Sequence, residues 1–158
     1  MKTYRNHKSG FTLVEILIVV IILGILAAIV IPQFTNASTS ARVASLQGQL
    51  QTLRSQIQLF KLQHNDVLPD LNATVPQWGQ LMNKTTVAGA VDNVAGTFGP
   101  YLESIPANPL NGSSTVALPT APAAGIGWLY IATGPQAGII TATNTAGTAA
   151  FNEVTLVP

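Results

Sequence analysis

The chain has 158 residues, a formal net charge of +1, only 8% charged residues and no cysteine. That length suits one modest domain, and the lack of cysteine excludes disulfides, thiolate metal sites and cysteine nucleophiles. The charge averages two unlike parts: Lys2, Arg5 and Lys8 precede Phe11, whereas the remainder sets Arg42, Arg54, Lys61 and Lys84 against Glu15, Asp66, Asp70, Asp92, Glu103 and Glu153, a balance of −2. A weakly acidic body with scattered cations is a poor nucleic-acid binder, because duplex affinity rests on many phosphate contacts; no nucleic-acid partner is expected.

Residues 1–10, MKTYRNHKSG, are basic and polar, like the start of an export signal. An apolar run then extends from Phe11 to Ile31. At ~1.5 Å per residue it measures roughly 30 Å, the thickness of a bilayer core. The positive-inside rule places Lys2, Arg5 and Lys8 in the cytoplasm and the C-terminal body outside. An ordinary cleaved signal fits poorly, since the run is long and Ala27-Ala28 lies inside it, followed by Ile-Val-Ile. A plain signal anchor fits the hydropathy but leaves Glu15 unexplained. A membrane carboxylate costs about 2.5–3.5 kcal/mol at mid-span and less near an end. Glu15 stands near the cytoplasmic end, and the apolar run offers it no partner.

Gly10-Phe11-Thr12-Leu13-Val14-Glu15, behind a basic leader and ahead of a long apolar segment, resembles the class III signal of type IV pilins and type II secretion pseudopilins. The resemblance implies cleavage between Gly10 and Phe11 by a prepilin peptidase and N-methylation of Phe11. It also implies an assembly role for Glu15, facing the Phe11 amine of a neighbouring subunit. An α-amino group of pKa ~7.7–8.0 is mostly charged at neutral pH. A carboxylate and an ammonium buried together cost far less than either alone, so such a pair would fix axial register. Gly24 and Pro32 interrupt the span, and Pro32 lacks an N–H. Two readings stand: membrane helices tolerate both residues, or, as the resemblance implies, the segment between them unwinds locally in a filament.

After Pro32 the composition turns polar, yet Val43, Leu46, Leu50, Leu53, Ile57 and Phe60 recur at spacings of 3, 4, 3, 4 and 3. This predicts one apolar helical stripe, with Gln47, Gln49, Gln51, Arg54, Ser55, Gln58 and Lys61 opposite. The short repeat and irregular flanking charges argue against a coiled coil, so the stripe is expected to pack on the chain's own C-terminal part. One helix from about Phe11 to about Gln63, near ~80 Å, follows. Asn65, Asp66 and Pro69-Asp70 end it, and His64 reads as part of a solvated terminus.

Pro76 to Met82 predicts a short helix with proline in its first turn and Trp78, Leu81 and Met82 toward the stripe. Residues 85–100 read as loop. Gly99-Pro100-Tyr101-Leu102 through Ile105-Pro106-Ala107-Asn108-Pro109 resembles the "G-P-Y-L…P-x-D-P-W-G" stretch of the major pseudopilins of type II secretion. Asn108 stands where that family usually has Asp, Leu110 replaces the Trp, and Asn111-Gly112 turns the chain. Repeated proline and Asn-Gly describe a stiff loop laid over a sheet edge. Ile126–Thr133 and Ile139–Thr143 predict a hairpin around Gly134–Gly138, with Trp128 or Tyr130 on the stripe. Phe151–Val157 predicts a third, edge strand, and Ser113–Gly125 and Asn144–Ala150 read as small-residue loops.

Catalytic constellations do not appear: His7 lies in the leader, no paired carboxylates share a helical face, and no glycine-rich phosphate loop follows a strand. No enzyme and no cofactor are expected. Major pseudopilins often bind calcium through acidic residues of a C-terminal loop. Calcium needs several oxygen ligands, and after Glu103 only Glu153 remains, so no metal site is predicted. The expected fold is α+β, a type IV pilin fold whose long N-terminal α-helix packs on a small antiparallel β-sheet with a loop-rich C-terminal region. Its expected parts are a cleaved leader (1–10), a transmembrane or filament-core helix half (11–32) and a periplasmic head (33–158) holding the amphipathic helix half (33–63), loops (64–125) and sheet (126–158). The resemblance implies a single-pass protein of the bacterial inner membrane that assembles with itself into a periplasmic filament. Minor pseudopilins, the prepilin peptidase, and an inner-membrane assembly platform with its ATPase are the implied partners. A type IV pilus subunit for adhesion, motility or DNA uptake is the alternative within the class, though many such pilins carry a C-terminal disulfide. A membrane-anchored periplasmic binding domain that never polymerises is the alternative of another class.

Overall fold

The computed structural model describes residues 10–72, 77–120, 123–144, 146–147 and 150. In chain order the elements are α1 (Leu13–Gln63), α2 (Gly79–Met82), β1 (Val116–Ala117), β2 (Trp128–Tyr130) and β3 (Ile140–Ala142). The chain divides into two compact units, Met1–Thr39 and Ser40–Pro158.

The first unit is α1 from Leu13 to Thr39, with its apolar side chains exposed. Pro32 lies inside the helix. It has no N–H to offer the Ala28 carbonyl, yet α1 is helical throughout Gly24 to Pro32. Thr35 and Thr39 turn their hydroxyls back onto the helix, donating to the carbonyls of Ile31 (3.2 Å) and Thr35 (3.1 Å).

In the second unit the apolar stripe does what its spacing requires. Leu46, Leu50, Leu53, Ile57 and Phe60 are buried, and Val43 packs at the edge of the same core. Each full burial contributes about 1.5–3 kcal/mol. Trp78, Leu81, Tyr101, Leu110, Val116, Trp128, Tyr130 and Ile140 complete the cluster. Both Trp128 and Tyr130 are fully enclosed, and Met82 packs on the core's margin. α1 ends where Asn65 (φ 51°) and Asp66 (φ 65°) turn left-handed, a conformation these two residue types tolerate. The Asp66 N–H donates to Lys61 O at 3.0 Å. The short helix proves to be one turn, and Pro76 lies outside the described residues.

The sheet order is β1-β2-β3. β2 and β3 form the predicted antiparallel hairpin, pairing Trp128 with Ala142, Leu129 with Thr141 and Tyr130 with Ile140. β1 pairs parallel to β2, Val116 with Trp128 and Ala117 with Leu129, so the sheet is mixed rather than antiparallel throughout. β1 lies in the segment read as a loop. Two residues carry no period, and β1 is held from afar, by β2 on one edge and by Gln77 on the other. The Gln77 Nε2 donates to Val116 O (2.6 Å), while its Oε1 accepts from Val116 N–H (2.9 Å), so one carboxamide acts as a strand on the outer edge of β1. At the other side of the sheet Arg54 Nε donates to the Ile140 carbonyl (3.3 Å), which removes Arg54 from the purely solvated face expected for it. The strand expected at 151–157 lies outside the described residues.

Candidate functional site

Gly10 and Phe11 precede α1 and are exposed, Phe11 by 81%. Thr12 occupies the N-cap position of α1 and Glu15 its third helical position. The Thr12 hydroxyl accepts from Glu15 N–H (3.2 Å), and Glu15 Oε2 accepts from the Thr12 N–H (3.3 Å) and hydroxyl (3.2 Å). This is a reciprocal capping box, in which two amide donors orphaned at a helix start are satisfied at once. A carboxylate there is also favoured by the helix dipole, typically by about 0.3–1 kcal/mol. The expectation that the run offers Glu15 no partner is therefore corrected: Thr12 is the partner. Its signal, a threonine three residues ahead of a glutamate at a helix start, stands in the sequence.

Beyond Glu15 the apolar residues Ile16 to Phe34 are 41–72% exposed, and α1 is long and apolar enough to cross a membrane. A contiguous apolar surface of this extent marks a membrane or protein interface. Gly24 has open space around it, with nothing within 4 Å of an added Cβ.

In the second unit the Gly99–Gly112 stretch is pinned by two asparagines. Asn108 is 0% exposed. Its Nδ2 donates to the carbonyls of Gly127 (2.8 Å) and Thr143 (3.0 Å), and its Oδ1 accepts from Leu110 N–H (2.9 Å). Asn111 Nδ2 donates to Ile126 O (2.8 Å) and Thr143 Oγ1 (3.0 Å). Leu110, where the resembling family has Trp, is buried in the core. Gly99 needs to be glycine: its φ is +76°, and a Cβ would stand 2.8 Å from Asn83 O.

His64 corrects another expectation. It is 0% exposed, stacked on Phe60 at 3.8 Å between ring centroids and edged by Phe98. Its Nδ1 lies 2.7 Å from the Phe60 carbonyl, which only accepts, so Nδ1 carries the proton; in the neutral ring Nε2 (2.9 Å) accepts from the Thr85 hydroxyl. The ring joins the end of α1 to the 85–101 loop. Elsewhere, the backbone N–H groups of Ala95 and Val94 hold the Asp92 carboxyl below its ordinary range. Burial pushes the Tyr101 hydroxyl up. Burial, followed by the charge of Asp70, pushes that of Tyr130 up to about 12. Among the described residues no group of three or more histidine or acidic side chains could hold a metal.

Residues 5–31 match the family model described as the prokaryotic N-terminal methylation motif. The chain is similar to the type II secretion system core protein G of Pseudomonas aeruginosa, at 43% identity over 37% of this chain and 41% of that protein. It is similar to the type IV major fimbrial protein FimA of Dichelobacter nodosus, at 54% identity over 30% of this chain and 33% of that protein. With the competence protein ComGC of Halalkalibacterium halodurans it shares 30% identity over 46% of this chain and 72% of that protein. The chain thus spans less than half the length of the first two of these relatives. No solved structure matches it.

Proposed function

The chain belongs to the type IV pilin-like family, and from that premise we propose that it is a structural subunit of a pilus-like filament, the major pseudopilin of a type II secretion system. The observation that carries the reading is the unpartnered apolar half of α1, opening on Phe11 and a carboxylate at Glu15 directly behind Gly10. The precursor inserts with its leader in the cytoplasm and its head in the periplasm. A prepilin peptidase cuts between Gly10 and Phe11 and methylates the Phe11 amine. An inner-membrane platform, driven by its ATPase, lifts subunits into a helical homopolymer capped by minor pseudopilins. Growth pushes exported proteins outward.

Within this reading the capping box has a defined task. Before assembly, Thr12 supplies the hydrogen bonds that make a carboxylate tolerable at a membrane helix start. On assembly the same carboxylate meets the Phe11 ammonium of a neighbour. The bonds it leaves, at 3.2–3.3 Å, are long, whereas an ammonium meets a carboxylate at ~2.7–2.9 Å with charge on both partners. Gly24 and Pro32 are then the places where α1 can yield as helices bundle. Similarity to FimA and ComGC supports the second reading, a type IV pilus subunit.

Co-expression with a prepilin peptidase tests the first step by mass: loss of residues 1–10 plus one methyl group is expected, and an intact precursor refutes it. Glu15→Gln keeps an acceptor for the Thr12 cap but removes the charge. It is expected to be processed normally and to leave filaments absent; wild-type filaments from Glu15→Gln or Glu15→Leu would end the proposed pairing. Gene deletion then separates the two machines, exoprotein retention marking secretion and loss of twitching and surface fibres marking a pilus.

A further inference from the structure

Asn111-Gly112 is the only asparagine–glycine pair in the chain. Such a pair can modify itself, because glycine has no Cβ to keep its backbone nitrogen away from the carboxamide carbon of the residue before it. Once hydroxide removes the Gly112 N–H proton, that nitrogen can form a bond to Asn111 Cγ. The Cγ–Nδ2 bond then breaks, Nδ2 takes a proton from water, and ammonia leaves behind a five-membered cyclic imide. Water opens the imide at either carbonyl. The product is aspartate, or isoaspartate, in which the backbone runs through the side-chain carboxyl.

The closed loop holds each group of this reaction out of place. The attacking nitrogen is engaged, since Gly112 N–H donates to Asn108 O at 2.7 Å. The carboxamide reaches past Gly112 to the next amide, Asn111 Oδ1 accepting from Ser113 N–H at 3.0 Å. The leaving nitrogen is caged: Asn111 Nδ2 stands 2.8 Å from Ile126 O, 3.0 Å from Thr143 Oγ1 and 3.3 Å from Asn144 O. The Thr143 hydroxyl donates its own hydrogen to Ile126 O at 2.6 Å, so none of the three supplies the proton that ammonia needs to leave. Hydrogen bonds, not depth, give this protection. Asn111 is half-buried and Gly112 is exposed, so water reaches the pair when the loop opens.

We propose that Asn111-Gly112 is a spontaneous modification site, suppressed while the 108–113 loop is closed and reactive once it opens. The change runs one way. An aspartate at 111 sets a carboxylate oxygen against the carbonyls of Ile126 and Asn144, where the amide now donates, and this opposes closure. An isoaspartate adds a backbone carbon between residues 111 and 112 and carries Gly112 N–H away from Asn108 O. A passing opening is thereby recorded as a lasting one, which limits how long a head that opens stays usable. The proposal does not depend on the filament reading.

Timed peptide mapping tests it on the full chain in detergent micelles, aged at mildly alkaline pH with and without denaturant. Cleavage after glutamate releases 104–153, whose fragment masses locate any amide converted to acid, and an isoaspartate methyltransferase labels the second product. Asn108 and Asn144, followed by proline and threonine, serve as internal references. Modification that proceeds only from the open loop follows the open population. Conversion at Asn111 is therefore expected to be slower in the folded chain than in the denatured one by a factor on the order of ten or more. Asn111→Asp, the first product made directly, is expected to melt below wild type. Equal rates at Asn111 in the two samples, or no conversion in the denatured one, overturn the proposal. A melting temperature of Asn111→Asp equal to wild type overturns its one-way character.

Discussion

Replacing Asn108 by aspartate tests the asparagine clamp with almost no change of shape. The Asn108 amide nitrogen gives two bonds, to the carbonyls of Gly127 and Thr143, from a site with no solvent exposure. A carboxylate there can give neither, and it sets a buried negative charge against two carbonyl oxygens. Two lost bonds cost about 1 kcal/mol each, and the unpaired buried charge raises the total to about 3 kcal/mol or more. For a chain of this size that lowers the melting temperature by about 6–12 °C. The pH dependence has a definite sign. Burial and the facing carbonyls raise the pKa of the introduced carboxyl in the folded chain above its unfolded value of ~3.9. Below that value the carboxyl is protonated in both states and its hydroxyl can donate one of the two bonds, so the variant lies close to wild type. The penalty then grows as pH rises toward 7. Thermal unfolding of wild type and Asn108→Asp in the same detergent, from pH 4 to 8, reads the difference directly. Equal stability at pH 7, or a gap that does not change with pH, would refute the reasoning.

Two further substitutions probe the core. The Tyr130 hydroxyl is buried without a hydrogen-bond partner among the described residues. With its folded pKa near 12 against ~10 unfolded, the stability held by its neutral form is complete below pH 10 and is lost as pH rises to 12, by about 2–3 kcal/mol. Tyr130→Phe is therefore expected to flatten alkaline unfolding over that window, leaving the smaller share due to Tyr101, while changing stability at pH 7 by less than about 1 kcal/mol; an unchanged alkaline slope in denaturant titrations counts against it. Gly127→Ala places a Cβ 2.0 Å from the Ser113 carbonyl oxygen, a backbone atom that cannot swing away. It is expected to cost about 3 kcal/mol or more, whereas Gly48→Ala, open on its helix face, leaves stability unchanged or raises it by up to about 1 kcal/mol; equal melting temperatures for the two would contradict the close approach.

The long helix and its stripe are legible in the sequence because a 3.6-residue period leaves its mark over many turns, and Leu46 to Phe60 obey it. The β2–β3 hairpin announces itself through aromatic and β-branched runs around glycine. β1 is not legible, since its two residues are held by partners remote in sequence, β2 and the side chain at position 77. His64 misleads because a polar residue at a helix end ordinarily meets water. Its burial depends on Thr85 and Phe98, which the loop brings back over it. Asn108 stands out by resemblance, but its role needs the carbonyls of residues 127 and 143 to arrive from elsewhere in the chain. Thr12 is the opposite case: its signal is local, a capping pair that lies hidden inside a membrane-insertion motif.

Two side chains cap backbone groups at the rims of the described sheet, and this bears on how the chain would assemble under the proposed filament reading. A bare strand rim is a template for another chain's backbone. Under the proposed filament reading each subunit meets its own copies at very high local concentration, where such a template would seed irreversible cross-β growth. Gln77 occupies both backbone groups of Val116, and Arg54 occupies the carbonyl of Ile140. Under that reading these caps reduce what the described rims offer to a stray strand and leave order in the array to helix packing and side-chain contacts.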